Sequence, residues 1–467
     1  MKINRRYLLR GAPFAAGAAL LGRATGWPGA ELFAQNVGLA SLPPPEESGI
    51  EHIVVVMMEN RSFDHFLGWL PNADGQQAGL SYLDAVGVAH STHPLAPDFT
   101  GCTHPDPDHS FLGGRVQYDS GAMDGFLRSG KNDDYAIGFY VERDRPFYSA
   151  LARNYTTLDH SFASILGPTF PNRFFLHSAQ TDRLTNALVG TALPTIWDRL
   201  LAAGVSARYY YSNLPFLAFW GPKYFLNGIT TPSPNITSFF TDATNGTLPA
   251  VSFVDPTFAD FAPDGSGNDD HPPADIRRGD AFLARIFNAV AKNGPLWPST
   301  VLIVSYDEWG GFFDHVPPPR ATAPNSVDPD LVNGKALLGL RVPAVIASPF
   351  SRGEPDDPKV KGMTFDHTSI LKLIEWRFGL APLTARDASD DVQNLARALN
   401  FQHTNATVPD LPLPAAPPPA TCTQPSPSVA PVSAATIAGA VSELSDSRNP
   451  WPGLRGSGLL NGWDLPH

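Results

Sequence analysis

Two apolar runs in this 467-residue chain each end on a pair of side chains that carry oxygen. Ile50–Met58 reads IEHIVVVMM and passes directly into Glu59 and Asn60, while Thr300–Tyr306 reads TVLIVSY and passes directly into Asp307 and Glu308. Three carboxylates and an amide converging on one point would repel one another unless a cation lay between them, and oxygen donors of this kind suit a hard divalent ion. A single acidic residue after a strand is ordinarily a helix cap or a solvated loop residue. Two pairs, each abutting an apolar run, point instead to a metal centre. Gly310 and Gly311 follow the second pair and let the backbone turn tightly behind it.

A third element is GPTFPNRFF, Gly167–Phe175. Pro171 is tolerated in the first turn of a helix but not in its interior, so a helix is predicted to begin near it, with Thr169 at the amino terminus. Taken alone, a Thr before a helix is an N-cap. Beside a metal centre the same hydroxyl is a candidate nucleophile, its alkoxide favoured by the ion and by free helix-terminal amides. Five histidines sit in polar, loop-like contexts: His104 and His109 (CTHPDPDHS), His271 (NDDHPP), His315 (FFDHVPPP) and His367 (TFDHTS). An imidazole there can bind phosphoryl oxygens, protonate a leaving alkoxide or ligate a metal, although a lone loop histidine is more often solvated or a structural hydrogen-bonder. The Asp-His spelling recurs at His65 and His160, so it discriminates little.

Elements that would position these groups are legible as alternating runs. Besides Ile50–Met58 and Thr300–Tyr306, short strand-like runs occur at Ser206–Tyr211, Ala250–Val254 and Val342–Ala347. Helix-like stretches lie among them at Asn172–Gln180, Pro194–Ala203, Ile276–Lys292 and Thr368–Phe378. Such alternation predicts an α/β fold, a three-layer sandwich with a central, mostly parallel sheet, whose ligands collect at the carboxyl ends of the strands.

The amino terminus reads as an address. Arg5 and Arg6 precede the apolar GAPFAAGAALLG, which is too short to span a membrane, and the pattern matches a twin-arginine export signal over residues 1–34, with Ala34 as a cleavage candidate. The expectation is a periplasmic or secreted protein that engages the twin-arginine machinery. Removing that segment, five basic residues against one acidic, takes the formal charge from −12 to about −16. An acidic chain repels phosphate backbones, which argues against a nucleic-acid-binding role and against purely electrostatic docking on anionic lipid. Export makes a disulfide between Cys102 and Cys422 feasible, though sequence alone does not bring them together. No paired Cys/His spacing for structural zinc is present. A catalytic domain is expected over residues 45–407. Residues 408–467, whose first part, Val408–Pro431, holds nine prolines, are expected to lie packed on that domain or extended from it.

With these residues in view, the motifs IEHIVVVMMENRSFDHFLG, GPTFPNR, NDDHPP, DEWGGFFDHVPPP and FDHTSILKLIEWRFGL resemble, in order over roughly residues 50 to 400, the bacterial phosphoesterase family of non-haemolytic-type phospholipases C and related acid phosphatases. That family is similar in core to alkaline phosphatases and sulfatases, so the resemblance implies an alkaline-phosphatase-like fold. It implies a metal held at Glu59, Asn60, Asp307 and Glu308 with Thr169 completing the shell. Phosphate-facing histidines are implied at His109 and His271, with His367 and His315 as further site positions. Thr169 looks like the phospholipase C branch, which cleaves diesters such as head-group esters of phosphatidylcholine. The alternative is a broad-specificity acid phosphatase acting on monoesters, and a distant one is a non-catalytic exported binding protein with structural calcium sites. The chain differs from the long phospholipases C in lacking a large carboxyl-terminal β extension, which leaves phospholipid choice open and any membrane-surface contact transient. Oxygen ligands favour Ca, Mg or Mn, while histidine participation admits Zn or Fe.

Overall fold

In the computed structural model, residues 41–422 are described, and the export signal expected over residues 1–34 lies outside them. The sheet is built from β1 (His52–Met58), β2 (Thr156–Leu158), β3 (Ala207–Tyr210), β4 (Val251–Val254), β5 (Thr300–Tyr306), β6 (Ala344–Ala347) and β7 (Val360–Lys361). Their spatial order is β7-β2-β6-β5-β1-β4-β3. β1 and β5 are buried at nearly every position, as β-branched central strands covered on both faces must be. Alternate residues Val54, Val56, Met58, Leu302, Val304 and Tyr306 share one core with α3 (Pro146–Asn154) and α7 (Ile276–Phe287). α4 (Thr169–Ser178) and α8 (His367–Phe378) pack against each other as a second helical group. The remaining helices used below are α1 (Phe63–Leu67), α2 (Phe111–Tyr118), α5 (Ile196–Ala202) and α6 (Ile236–Asn245).

The α/β class, the helical flanks and the central strands follow the sequence expectation, with one correction in direction. β1 runs parallel to both β4 and β5, β3 parallel to β4 and β7 parallel to β2, but β6 is antiparallel to its neighbours β5 and β2. The reason lies in the connection. A parallel neighbour needs a crossover, usually helical. Residues 307–343 hold no helix, only the small antiparallel ribbon Arg320–Thr322 with Lys335–Leu337, and the chain therefore returns beside β5 in the opposite sense. β2 and β7, three and two residues long, are too short to leave a periodic signal and were not anticipated.

The end of α4 away from Thr169 offers a stability test. His177 is buried there, accepts a hydrogen bond from Trp197 Nε1 on α5 at 3.1 Å, and packs among Phe216, Trp220 and Phe253. Burial, assisted by the nearby Arg173 charge, pushes its pKa down to about 3. The unfolded chain binds a proton near pH 6.5 that the native state refuses. Neutral His177 therefore contributes stability that is fully present above pH 6.5 and is lost progressively as pH falls toward 3. Denaturant unfolding between pH 6.5 and 4 should show a His177 component of about 1.4 kcal/mol per pH unit, absent from His177→Asn. Equal slopes for the two proteins would contradict the assignment.

Candidate active site

Parallel pairing of β1 with β5 sets Met58 opposite Tyr306, so Glu59–Asn60 and Asp307–Glu308 leave the sheet side by side at its carboxyl edge. The backbones then lock together. Asp307 N donates to Met58 O at 3.1 Å, Arg61 N to Glu308 O at 3.0 Å, and Asn60 N to Asp307 Oδ1 at 2.9 Å. Asn60 takes a left-handed conformation (φ 56), which Asn tolerates better than most side chains. Gly310 (φ 65) is needed because a Cβ there would collide with Asn60 O, and its N–H donates to Glu308 Oε2 at 2.6 Å.

Thr169 is the first residue of α4, and its Oγ1 lies 3.3 Å from both Glu59 Oε2 and Asn60 Oδ1. Asn172 fixes this turn. Its Oδ1 accepts from Ile165 N at 3.1 Å, and its Nδ2 donates to Gly167 O at 2.8 Å and to Ile165 O and Pro168 O at 3.2 Å. One expectation needs amending: the Phe170 N–H at the helix start is not free, because it donates to Asn186 Oδ1 at 2.8 Å. Arg173, one turn along, is buried and gives Nε to Glu59 Oε1 at 2.7 Å and Nη1 to Asp255 Oδ1 at 3.0 Å. Asp255 follows β4 and so reaches the same edge as the other carboxylates.

Two histidines face this group. His109 Nδ1 is hydrogen-bonded to Pro107 O at 2.7 Å, which leaves Nε2 3.3 Å from Asn60 Nδ2 and 3.8 Å from Glu308 Oε1. His271 Nδ1 bonds to Pro272 O at 2.5 Å, and the two rings meet edge to face with centroids 5.7 Å apart. Burial works against a charge on His271, but Asp260 and Asp106, with Asp269, overcome it and hold the pKa up at about 9. His367 lies at the start of α8, held by its Nε2 against Tyr306 O at 3.0 Å, beside the exit of β5. His315 goes elsewhere. It bonds Asp64 and Asp74, and Arg341 joins Asp64 to Asp314, so the contacts of His315 fall on scaffold residues and not on the Thr169 group.

The donor chemistry fits a divalent cation. Asp307 Oδ2 and Glu308 Oε1 are fully buried and have no hydrogen-bond partner, a costly state for anionic oxygens that a cation would relieve. Burial first, and the neighbouring Asp307 second, push the Glu308 carboxyl well above its ordinary range. Glu59 is raised as well by burial, against the pull of Arg173. A second grouping, Asp106, His109 and His271, presents ligand-type atoms within 4.8 Å of one another and lines an open cleft together with Asn186 and Asp260. Asp106, Asn172, Arg173, Asn186, Asp255 and Asp269 were not singled out from the sequence. Only Asn172 and Arg173 carried a signal, as the two residues after Pro171 in a predicted helix start.

Fold and site together describe an α/β protein whose candidate centre sets buried carboxylates beside a hydroxyl at a helix start. A model of the Phosphoesterase family matches residues 50–381, and the chain belongs to that family, whose activity is phosphoric ester hydrolysis. It is 32% identical over 375 residues to non-specific phospholipase C6 of Arabidopsis thaliana, covering 73% of this chain and 71% of that one. It is 33% identical over 425 residues to phospholipase C B of Mycobacterium tuberculosis, covering 77% and 79%. Among solved structures it is similar to an alkaline phosphatase superfamily protein of Vibrio parahaemolyticus, at 13% identity and a TM-score of 0.34, covering 74% of this chain and 70% of that one.

Two substitutions separate positioning from ligation. Glu308→Gln keeps the shape and removes charge, and should weaken divalent-ion binding by about 10- to 100-fold in a calorimetric titration. Asn172→Ala leaves the Ile165, Gly167 and Pro168 carbonyls and the Ile165 N–H without that partner, and should cost about 2–4 kcal/mol in denaturant unfolding, with ion affinity largely retained. Unchanged affinity in the first variant would remove Glu308 from the ligand set.

Proposed function

We propose that the chain is an exported, metal-dependent phospholipase C-like enzyme that cleaves phosphodiesters through a Thr169 nucleophile. The observation that carries this reading is Thr169 Oγ1 at the head of α4, 3.3 Å from Glu59 and Asn60 oxygens and next to the unpartnered oxygens of Asp307 and Glu308. Glu59, Asn60, Asp307, Glu308 and Thr169 would hold a divalent ion, which would supply Lewis acidity to the Thr169 hydroxyl and to the phosphoryl group. Thr169 Oγ1 attacks phosphorus in line and the bond to the leaving alcohol breaks. Glu59 Oε2 is the carboxylate placed to receive the hydroxyl proton. His271, its Nδ1 engaged by Pro272 O, presents Nε2 to protonate the departing alkoxide, and His109, its Nδ1 donating to Pro107 O, accepts from Asn60 Nδ2 through Nε2 and so orients the amide whose second N–H is free to hold a phosphoryl oxygen. Water then hydrolyses the phosphothreonine. His367 supports the edge of the site from behind the Asp307 strand end.

A head group of the phosphatidylcholine type suits the adjoining pocket, where Phe170, Phe216, Phe258 and Phe261 stand with Asp260 and Asp269. Aromatic faces and carboxylates together attract a quaternary ammonium. Phospholipid contact is transient and at the membrane surface, and no helix among the described residues is long and apolar enough to cross a membrane. Export by the twin-arginine machinery to the periplasm or beyond is supported by Arg5 and Arg6 ahead of an apolar stretch and by the Cys102–Cys422 disulfide, a bond that persists in oxidising compartments.

The purified mature protein should hydrolyse p-nitrophenyl phosphorylcholine, and a chelator should abolish that activity. Thr169→Ala should lower kcat by about 10³-fold or more while divalent-ion binding persists in part. Cleavage of p-nitrophenyl phosphate alone would make the enzyme an acid phosphatase on the same centre. Wild-type turnover in Thr169→Ala would remove the nucleophile.

A further inference from the structure

The loops that carry His109 and His271 are tied to a common partner, the proline-rich segment 405–422. Its course is pinned at several points. Asn405 N donates to Pro349 O at 2.8 Å, Trp297 Nε1 donates to Ala406 O at 3.1 Å, and Val408 and Leu411 pack on the main core. Lys292 pairs with Asp410 at 2.9 Å. Beyond Leu411 the segment grips the active-site loops.

Arg278, in the first turn of α7, makes the first grip. Its Nη1 donates to Pro417 O at 2.6 Å, its Nε to Gly267 O at 3.1 Å and its Nη2 to Ser266 O at 3.2 Å. One guanidinium thus joins the segment to the loop that enters Asp269 and His271. Gly265 lies so close to Ala420 that a Cβ would strike the Ala420 backbone, so the two segments are in direct backbone contact as well. The second grip is the Cys102–Cys422 disulfide, which spans 320 residues of sequence. Cys102 stands at the head of the loop that carries Asp106 and His109. That loop is anchored upstream by Asp98, which accepts from Thr100 N and Gly101 N at 2.9 and 2.8 Å. Phe99 O, accepting from Ile276 N at 3.1 Å, and the Arg277 guanidinium 4.4 Å from the Phe99 ring centre join that loop to α7.

We propose that segment 405–422 is a strap that sets the relative positions of His109 and His271, with Arg278 the positioning residue through which it acts on His271. Neither Arg278 nor the disulfide touches the Thr169 group. They act by fixing the two loops from which the imidazoles project, and small displacements of such groups cost rate steeply. The kinetic part rests on the phosphodiesterase reading above, while the structural coupling does not.

Three full-chain variants test it: Cys102→Ser with Cys422→Ser, Arg278→Ala and Arg278→Lys. On p-nitrophenyl phosphorylcholine, kcat should fall on the order of tenfold in the first two with KM within about twofold, and Arg278→Lys should recover part of the loss. Amide hydrogen exchange should rise in residues 264–272 for Arg278→Ala, and in both 100–110 and 264–272 for the double serine variant. Residues 52–60 and 167–178 should stay unchanged. Unaltered kcat with unaltered exchange in these segments would overturn the proposal, and so would an even rise across the whole fold, which would make the strap a general stabiliser. If the parent protein cleaves no phosphoester, the diesterase reading fails, and the exchange pattern alone still decides the strap.

Discussion

The concentration of carboxylates at one buried sheet edge is the constraint on which the rest of the site depends. Glu59, Asp255, Asp307 and Glu308 all arrive at the ends of adjacent parallel strands, and each is at most 5% exposed. Burying that much like charge is expensive unless cations compensate it. Arg173 is one compensation, reaching Glu59, Asp255 and Asp307 from the first turns of α4. It leaves the Asp307 Oδ2 and Glu308 Oε1 oxygens without a hydrogen-bond partner. The geometry thus separates two duties. The arginine hydrogen-bonds Glu59 Oε1 and Asp255 Oδ1 and fixes α4 to the sheet, while Glu59 Oε2 meets Thr169 and the unpartnered oxygens of Asp307 and Glu308 suit a divalent ion. Since Arg173 and Thr169 share a helix, the charge that stabilises the edge also fixes the Thr169 hydroxyl.

Much of this is legible in the amino-acid sequence. The central strands and their charged exits could be read because a fully buried parallel strand is a continuous apolar run, and the first polar residues after it must lie at the edge. Thr169 was legible because Pro171 fixes where a helix begins. The partners of Arg173 and Asn172 were not, because they depend on which strand ends lie together in space. The direction of β6 was missed for a related reason: its run, Val342–Ala347, looks like any buried strand, and only the absence of a crossover helix in residues 307–343 betrays its sense. Cys102 and Cys422 could be noted as compatible with a disulfide, but a separation of 320 residues carries no distance information.

The histidines show where pattern fails. Asp-His occurs at Asp64–His65, Asp108–His109, Asp159–His160, Asp270–His271, Asp314–His315 and Asp366–His367, and these pairs have different fates. His65 is buried with its ring against Phe312, bonded to Gly138 O at 2.7 Å and 3.1 Å from Arg61 Nη1, and burial drives its pKa well below the usual range. Asp270 is held by Arg145 and the Tyr306 hydroxyl, and that anchorage turns its neighbour His271 toward the cleft. The dipeptide encodes a carboxylate that fixes a turn next to an imidazole, and the turn decides whether the imidazole meets substrate.

Each of the two long motifs is therefore divided along its length. In ENRSFDH the first two residues serve the site, while Arg61 grips Asp270 O at 2.8 and 2.6 Å and Asp64 joins Arg341. In DEWGGFFDH the first pair again serves the site, while Asp314 and His315 join the same Arg341–Asp64 network. The rear halves of the motifs are thus bonded to each other, and that contact lies on the far side of the turns made by Asn60 and Gly310. Two strands alone would set the carboxylates near one another only to within the freedom of their loops. Fastening the loops together a second time, through buried charge pairs about one turn further on, removes that freedom. The length of the motifs follows from this arrangement, since each supplies both an oxygen-bearing pair at the sheet edge and the clamp that holds it.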